Sequence, residues 1–183
     1  MMVYPRLVDS ASELGQFAHS QGKMIVTAES CTGGLIAWAL TQTGGSSQWF
    51  ERGFVTYSNA AKDQSIGVPA GLIVEHGAVS EAVAKAMALG CLNTVDGAQL
   101  ALSVTGIAGP TGATIGKPIG TVCFGWALRA TRATTGAIAN LNTEHACFAQ
   151  TLYLVGDRSQ IREQAAHHSI SAALKYLKQA KFG

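Results

Sequence analysis

The sequence Thr-Ala-Glu-Ser-Cys-Thr-Gly-Gly occupies residues 27–34 and lies between two apolar segments of different character. Residues 24–26 (Met-Ile-Val) are typical of a buried strand, whereas residues 35–40 (Leu-Ile-Ala-Trp-Ala-Leu) are typical of a helix. A strand, a short polar turn and a helix form a βα unit, so an α/β fold is expected. Ser30 lies in the turn, where backbone N–H groups and the positive end of a helix dipole would face a ligand.

This turn has two interpretations. Enzymes with α/β folds present nucleophiles at such turns, so Ser30 is a candidate nucleophile, and the following glycines would let a ligand approach the backbone. The candidate substrate-binding residues of the turn are then Thr32, Gly33 and Gly34. The pattern is also that of an ordinary βα connection with Ser or Thr as the helix N-cap. Glu29 either orients the site or caps the helix.

Composition limits the class of protein. The length of 183 residues predicts a single domain over residues 1–183, and a 48% hydrophobic content supports a large core. The net charge of +2 without a basic stripe argues against direct nucleic-acid binding. The 4 cysteines form no Cys-x-x-Cys pair and the histidines lack metal-ligand spacing, so no metal or cofactor is expected. Neither a signal peptide nor a membrane span is evident, which predicts a cytoplasmic protein without membrane contact.

Predicted strands and helices alternate along the first half of the chain, which favours a mainly parallel sheet flanked by helices. Strands are predicted at 23–28, 50–58, 99–105, 120–129 and 144–155. Helices are predicted at 8–21, 32–42, 59–66 (capped by Asn59), 70–75, 80–93 (capped by Ser80) and 157–178 (capped by Asp157). The last two strands have no helix between them, only a predicted long loop at 131–142, so they form a hairpin and the sheet is mixed.

Ligands of such sheets bind beyond the carboxyl ends of the parallel strands, where three loops fall: 29–34, 57–62 and 105–112. Lys62 in the second loop can act as the base for a serine nucleophile if its amine is neutral. That requires a pKa lowered from ~10.4 by desolvation or nearby positive charge. Two alternatives stay open: Lys62 is a solvated surface residue, or its partner is Ser58 at the i, i+4 position.

The third loop, Thr-Gly-Ile-Ala-Gly-Pro-Thr-Gly, can turn its N–H groups inward around an anion. Thr105, Gly106 and Gly109 are therefore candidate substrate-binding residues, for a phosphate or for an oxyanion. The loop matches neither a P-loop nor a dinucleotide fingerprint, and it is also consistent with a plain connection. Sequence does not assign the phosphate and oxyanion roles between the loops.

Arg158 lies in the first turn of the last predicted helix, where the helix dipole disfavours a cation. A residue placed against local preference suggests a functional role such as binding a phosphate or carboxylate. The alternative is a salt bridge to Asp157, to Glu163 or to a neighbouring loop.

Six motifs occur in one order along the chain, and together they are more specific than any one of them. They are 27–34 above, Gly-Phe-Val-Thr-Tyr-Ser-Asn (53–59) with Lys62, His-Gly-Ala-Val-Ser (76–80), Thr-Gly-Ile-Ala-Gly-Pro (105–110), Pro-Ile-Gly-Thr-Val (118–122), and Gly-Asp-Arg (156–158) with Ile-Arg (161–162). In this order, from about residue 8 to about residue 178, they resemble the CinA C-terminal domain family.

The resemblance implies a three-layer α/β/α sandwich with a mixed, mainly parallel five-stranded sheet. It also implies a metal-independent hydrolase that converts nicotinamide mononucleotide and water to nicotinate mononucleotide and ammonia, in pyridine nucleotide recycling. By resemblance, Ser30 is the nucleophile, Lys62 its base and Tyr57 a support for this dyad, while Arg158 binds or polarises the substrate. The implied partners are a small nucleotide substrate and further copies of the chain, as a dimer or larger homo-oligomer.

Two features depart from the family pattern. Leu154 occupies a position where an aromatic residue is expected, and the loop at 131–142 is longer than usual. Larger members carry an N-terminal domain resembling molybdopterin-binding proteins, whose activity is not expected here. Two other functions fit the same motifs: a non-catalytic domain that binds a nucleotide or partner, linked by family name to competence and DNA damage, and an amidohydrolase for a different amide.

Overall fold

The structure, a computed structural model, describes residues 4–129 and 145–180. Its helices are α1 (Pro5–Ser20), α2 (Leu35–Leu40), α3 (Asn59–Ile66), α4 (Ala70–His76), α5 (Glu81–Thr94) and α6 (Arg158–Gln179). Its strands are β1 (Ile25–Glu29), β2 (Phe50–Val55), β3 (Leu100–Gly106), β4 (Thr121–Leu128) and β5 (Ala146–Tyr153). The predicted loop at 131–142 lies outside the described residues.

The five strands form one sheet in the order β2-β1-β3-β4-β5. β1 pairs in parallel with both β2 and β3, whereas β4 is antiparallel to both β3 and β5. The prediction of a mixed sheet with an antiparallel final strand pair is therefore confirmed. Because β4 alone runs against the others, β1, β2, β3 and β5 all end at the same edge of the sheet.

Helices cover both faces of the sheet, which confirms the three-layer α/β/α architecture. One hydrophobic core lies between the sheet and α1, α2 and α6, and a second lies between the sheet and α3, α4 and α5. The alternation of side chains along β3 separates the two cores, since Leu100, Leu102 and Val104 enter the first and Ala101 enters the second. In the part of the chain that the structure describes, no helix has the length and hydrophobicity needed to cross a bilayer.

The boundaries of several elements differ from prediction. Strand β2 ends at Val55 rather than at residue 58, and the N-cap of α3 is Ser58 rather than Asn59, because the Ser58 hydroxyl accepts a hydrogen bond from Ala61 N–H. Helix α1 begins at Pro5, whose fixed φ suits the first helical turn. The predicted caps Ser80 and Asp157 are confirmed, each accepting a hydrogen bond from a backbone N–H of the first turn.

Gly125 in β4 allows close packing of α5 on the sheet. A Cβ atom at this position would overlap the carbonyl oxygen of Ala84 in α5, and it would lie 2.6 Å from Ser103 Oγ. We expect Gly125→Ala to lower the free energy of unfolding by about 1–3 kcal/mol through overpacking. Chemical denaturation measures this, with Gly97→Ala as the control because no atom lies within 4 Å of its added Cβ. Equal stability of the two variants would contradict the close approach of α5.

Candidate active site

Three loops follow β1, β2 and β3 at the shared edge of the sheet, as predicted from the parallel order. They border a cavity of about 330 Å³. The end of β5 reaches the same edge, so it delivers the first turn of α6. Seven of the residues selected from sequence line this cavity: Ser30, Tyr57, Lys62, Thr105, Gly106, Gly109 and Arg158.

Ser30 and Lys62 meet at the cavity. The Ser30 hydroxyl oxygen lies 3.2 Å from Lys62 Nζ, and the two residues are 8% and 1% exposed. The interpretation of Lys62 as a solvated surface residue is therefore wrong. The alternative pairing with Ser58 is not formed, because Lys62 Nζ contacts Ser30 and the Ser58 hydroxyl caps α3.

Two main-chain carbonyl oxygens complete the surroundings of the Lys62 amine. Nζ lies 3.0 Å from Thr56 O and 3.5 Å from Tyr57 O, at the end of β2. Among the described residues, no carboxylate forms an ion pair with it. Burial consequently lowers the pKa of Lys62, which is the direction that a general base requires.

Glu29 caps helix α2. Its carboxylate accepts hydrogen bonds from the backbone N–H groups of Gly34, Ile36 and Ala37 at 3.0, 3.0 and 2.8 Å. Burial raises the pKa of Glu29, and these donors oppose that effect. The interpretation of the turn as a Ser or Thr N-cap is thus wrong. The prediction that Glu29 caps the helix is confirmed. Because Glu29 occupies the helix terminus, the positive end of α2 is not open to a ligand.

Most backbone N–H groups of the turn at 29–34 already donate hydrogen bonds within the protein. Ser30 N–H donates to Val104 O at 3.0 Å, and Gly33 N–H donates to Ser30 O at 3.1 Å. Thr32 is buried, and its carbonyl accepts from the guanidinium of Arg162 at 2.7 Å. Thr32, Gly33 and Gly34 are not among the residues that line the cavity.

Cys31 lines the cavity beside Ser30 and was not selected from sequence. Burial raises the pKa of its thiol to about 12, so the thiol stays protonated at neutral pH and is a poor nucleophile. The other lining residues that were missed are Asn59, Ala78, Val79, Ile107, Ala108, Thr111 and Gly112. All of them except Thr111 and Gly112 lie within the six motifs of the family resemblance, and this membership could have identified them as site residues from sequence.

Arg158 joins two of the three loops. Its guanidinium donates to Gly109 O at 2.7 Å and to the Tyr57 hydroxyl at 3.0 Å. No salt bridge to Asp157 or Glu163 is formed within the described residues. Both recorded acceptors are neutral, so the positive charge of Arg158 is left to attract an anion in the cavity.

The end of β3 is tied to the segment that precedes α5. The Thr105 hydroxyl donates to Ala78 O at 2.9 Å, just before the loop that lines the cavity. Gly109 has φ +76°, a conformation that favours glycine. Leu154, at the position where an aromatic residue was expected, packs at the edge of the first core and does not line the cavity.

The sequence of motifs and the geometry agree with one family. The model of the CinA C-terminal domain matches residues 8–179. The chain belongs to the CinA C-terminal domain family. Within residues 4–129 and 145–180, no group of three or more His, Cys, Asp or Glu side chains is placed to hold a metal ion.

Relatives in the CinA family include shorter and longer proteins. An Enterobacter agglomerans protein named nicotinamide-nucleotide amidohydrolase PncC is 46% identical over 170 residues, which are 93% of this chain and 94% of the relative. A CinA-like protein from Mycolicibacterium vanbaalenii is 47% identical over 162 residues, but the chain spans only 34% of its length. The crystal structure of the competence/damage inducible protein CihA from Agrobacterium tumefaciens superposes with a TM-score of 0.82 at 36% identity, covering 98% of this chain and all of that one.

Proposed function

We propose that this protein hydrolyses the carboxamide of nicotinamide mononucleotide, giving nicotinate mononucleotide and ammonia, with Ser30 as nucleophile and Lys62 as general base. The observation that carries the mechanism is the 3.2 Å contact, at the cavity, between the Ser30 hydroxyl and a buried amine that forms no ion pair within the described residues. The substrate is inferred from relatives of nearly the same length that are named nicotinamide-nucleotide amidohydrolase.

The carbonyl groups around Lys62 support its role as a base. A neutral amine has two N–H groups and one lone pair. Thr56 O and Tyr57 O accept the two N–H groups, so the lone pair is directed to the third neighbour, the Ser30 hydroxyl. Ser30 O–H then donates to Nζ, as proton transfer requires.

The reaction proceeds by acyl transfer. Lys62 takes the Ser30 proton while Ser30 Oγ bonds to the carboxamide carbon, giving a tetrahedral oxyanion. The carbon–nitrogen bond breaks, and the leaving nitrogen takes the proton from Lys62 and departs as ammonia. A water molecule then gives a proton to Lys62 and attacks the acyl-enzyme. The carbonyl–Oγ bond breaks, Lys62 returns the proton to Ser30, and nicotinate mononucleotide is released.

The oxyanion is stabilised by the N–H group of Cys31. Ser30 N–H, Gly33 N–H and Gly34 N–H already donate within the protein. Cys31 follows the nucleophile and lines the cavity, whereas Thr32 is buried away from it. A single oxyanion donor typically contributes ~10²–10³ to kcat.

The 5′-phosphate binds at the other side of the cavity. Within the described residues, the acceptors of the Arg158 cation are neutral, and one of them is Gly109 in the loop at 105–112. Because Glu29 occupies the α2 terminus, the turn after β1 is the poorer phosphate site. We therefore assign phosphate binding to Arg158 and the loop at 105–112, and oxyanion binding to the loop at 29–34.

The test is to incubate the purified protein with nicotinamide mononucleotide without added metal and to follow ammonia and nicotinate mononucleotide together. Equimolar products are expected. Thermal unfolding with and without the nucleotide runs in parallel, because a protein that only binds would be stabilised without releasing ammonia. Neither product nor stabilisation from folded protein would favour an amidohydrolase for a different amide.

A further inference from the structure

Arg162 lies one helical turn after Arg158 on α6, but it contacts the nucleophile turn instead of the cavity. Its Nη2 donates to Thr32 O at 2.7 Å, and its buried Nε has no acceptor among the described residues. Within the part of the chain that the structure describes, no carboxylate pairs with it. Burying part of a guanidinium costs free energy. The hydrogen bond from Arg162 to Thr32 O offsets part of that cost.

That carbonyl belongs to a chain of hydrogen bonds leading back to Ser30. The peptide unit joining Thr32 and Gly33 accepts from Arg162 at its oxygen, and its N–H donates to Ser30 O at 3.1 Å. Ser30 O in turn belongs to the peptide unit whose N–H is that of Cys31. A peptide unit is planar and trans, so its C=O and N–H point in opposite directions. Whatever holds Ser30 O therefore sets the direction of Cys31 N–H.

We infer that Arg162 is a positioning residue for the proposed hydrolysis, acting through these two peptide units to aim Cys31 N–H at the oxyanion. The inference rests on the proposed function of Ser30. A charged donor makes the stronger hydrogen bond, and it polarises the next bond in the chain, from Gly33 N–H to Ser30 O. Burial raises the pKa of the Cys31 thiol, and Arg162 and Arg158 act in the opposite direction with smaller effects, so the charge of Arg162 reaches the turn.

This role differs from that of Arg158. Arg158 lines the cavity and would contact the substrate in the ground state, whereas Arg162 is not among the lining residues. Loss of Arg162 should then lower kcat and leave KM nearly unchanged, because only a transition-state interaction is removed.

The experiment compares Arg162→Met and Arg162→Lys with Lys178→Met, which removes a cation from the far end of the same helix. Two reactions are measured: hydrolysis of nicotinamide mononucleotide, and acetylation of Ser30 by p-nitrophenyl acetate, which needs the same oxyanion donor but no nucleotide. For Arg162→Met we expect kcat and the acetylation rate to fall about 10–100-fold, below the ceiling for removing an oxyanion donor outright. Arg162→Lys should retain part of both rates, since an ammonium group can still donate to Thr32 O.

The pH profile separates positioning from a charge effect on Lys62. If Arg162 only positions the turn, the acid limb of the kcat/KM profile has the same midpoint in Arg162→Met as in wild type. If Arg162 instead depresses the pKa of Lys62 by its charge, its loss moves that midpoint to higher pH. A moved limb, a change in KM alone, or wild-type rates in folded Arg162→Met would each overturn the inference. If wild type is acetylated at Ser30 but leaves the nucleotide intact, only the substrate proposal fails, and the acetylation rates still decide the role of Arg162. If wild type shows neither reaction, both proposals fail.

Discussion

Replacing Ser30 by alanine is expected to lower kcat for the nicotinamide nucleotide by roughly four to six orders of magnitude, the scale seen when an enzyme loses its nucleophile. The reason is that no acyl-enzyme can form without Ser30 Oγ, and the neighbouring Cys31 thiol cannot replace it, because burial raises its pKa to about 12. Product formation over hours measures the residual rate. Nucleotide-dependent thermal stabilisation of Ser30→Ala should persist, because the substitution leaves the proposed phosphate site unchanged.

Ser58→Ala is the matched control for this variant. Ser58 lies at the end of the same loop as Tyr57, and its hydroxyl caps α3. The control should lose about 1 kcal/mol of stability through the missing cap and keep its activity. Near-wild-type turnover in Ser30→Ala together with loss of turnover in Ser58→Ala would reverse the assignment of the nucleophile.

Replacing Lys62 by methionine is expected to lower kcat by about 10²–10⁴, the usual contribution of a general base. Methionine keeps much of the length and apolar volume of the buried side chain and removes only the proton acceptor. The fold should survive, because the unfavourable burial of an amine is removed even though Thr56 O and Tyr57 O lose a donor. Steady-state kinetics with Lys85→Met as the control measures the effect, and wild-type turnover would rule out Lys62 as the base.

The same variant tests the pH dependence. The proposed mechanism needs the neutral amine, and burial lowers the pKa of Lys62. In wild type, kcat/KM should therefore rise with pH through this lowered pKa and level off above it, with the midpoint below the ~10.4 of a free lysine. Lys62→Met should lack this rise. A midpoint at or above the free-lysine value would contradict the burial argument.

The location of the site followed from topology. Parallel strands that end at one edge bring their loops together wherever the helices lie, so Ser30 and Lys62 could be placed near each other without knowing a single distance. Topology alone does not give their direct contact, which the family resemblance implied, because the contact depends on β2 ending at Val55 and on the Ser58 cap, which together set where α3 begins. A shift of the α3 start by one residue would rotate Lys62 by about 100° around the helix axis.

The role of Glu29 was harder to predict for a different reason. Caps are expected from Ser, Thr, Asp or Asn next to the first helical residue, whereas Glu29 reaches forward from the end of β1 across the turn. Between Glu29 and α2, Gly33 (φ +59°) and Gly34 (φ +94°) both adopt left-handed conformations, which a cap prediction from residue type does not anticipate. The contact of Arg162 with Thr32 joins residues far apart in sequence, and helical periodicity carries no information about such pairs.

Within the described residues, the amine of Lys62 is oriented by the main-chain oxygens of Thr56 and Tyr57 and pairs with no acidic side chain. Every amino acid supplies such an oxygen, so substitutions at these two positions alter the side chains while retaining the acceptors. The protonation of Lys62 in the proposed dyad is therefore insensitive to many substitutions around it. Evolution could then vary the rim that selects the amide substrate, including the exposed ring of Tyr57, without rebuilding the base.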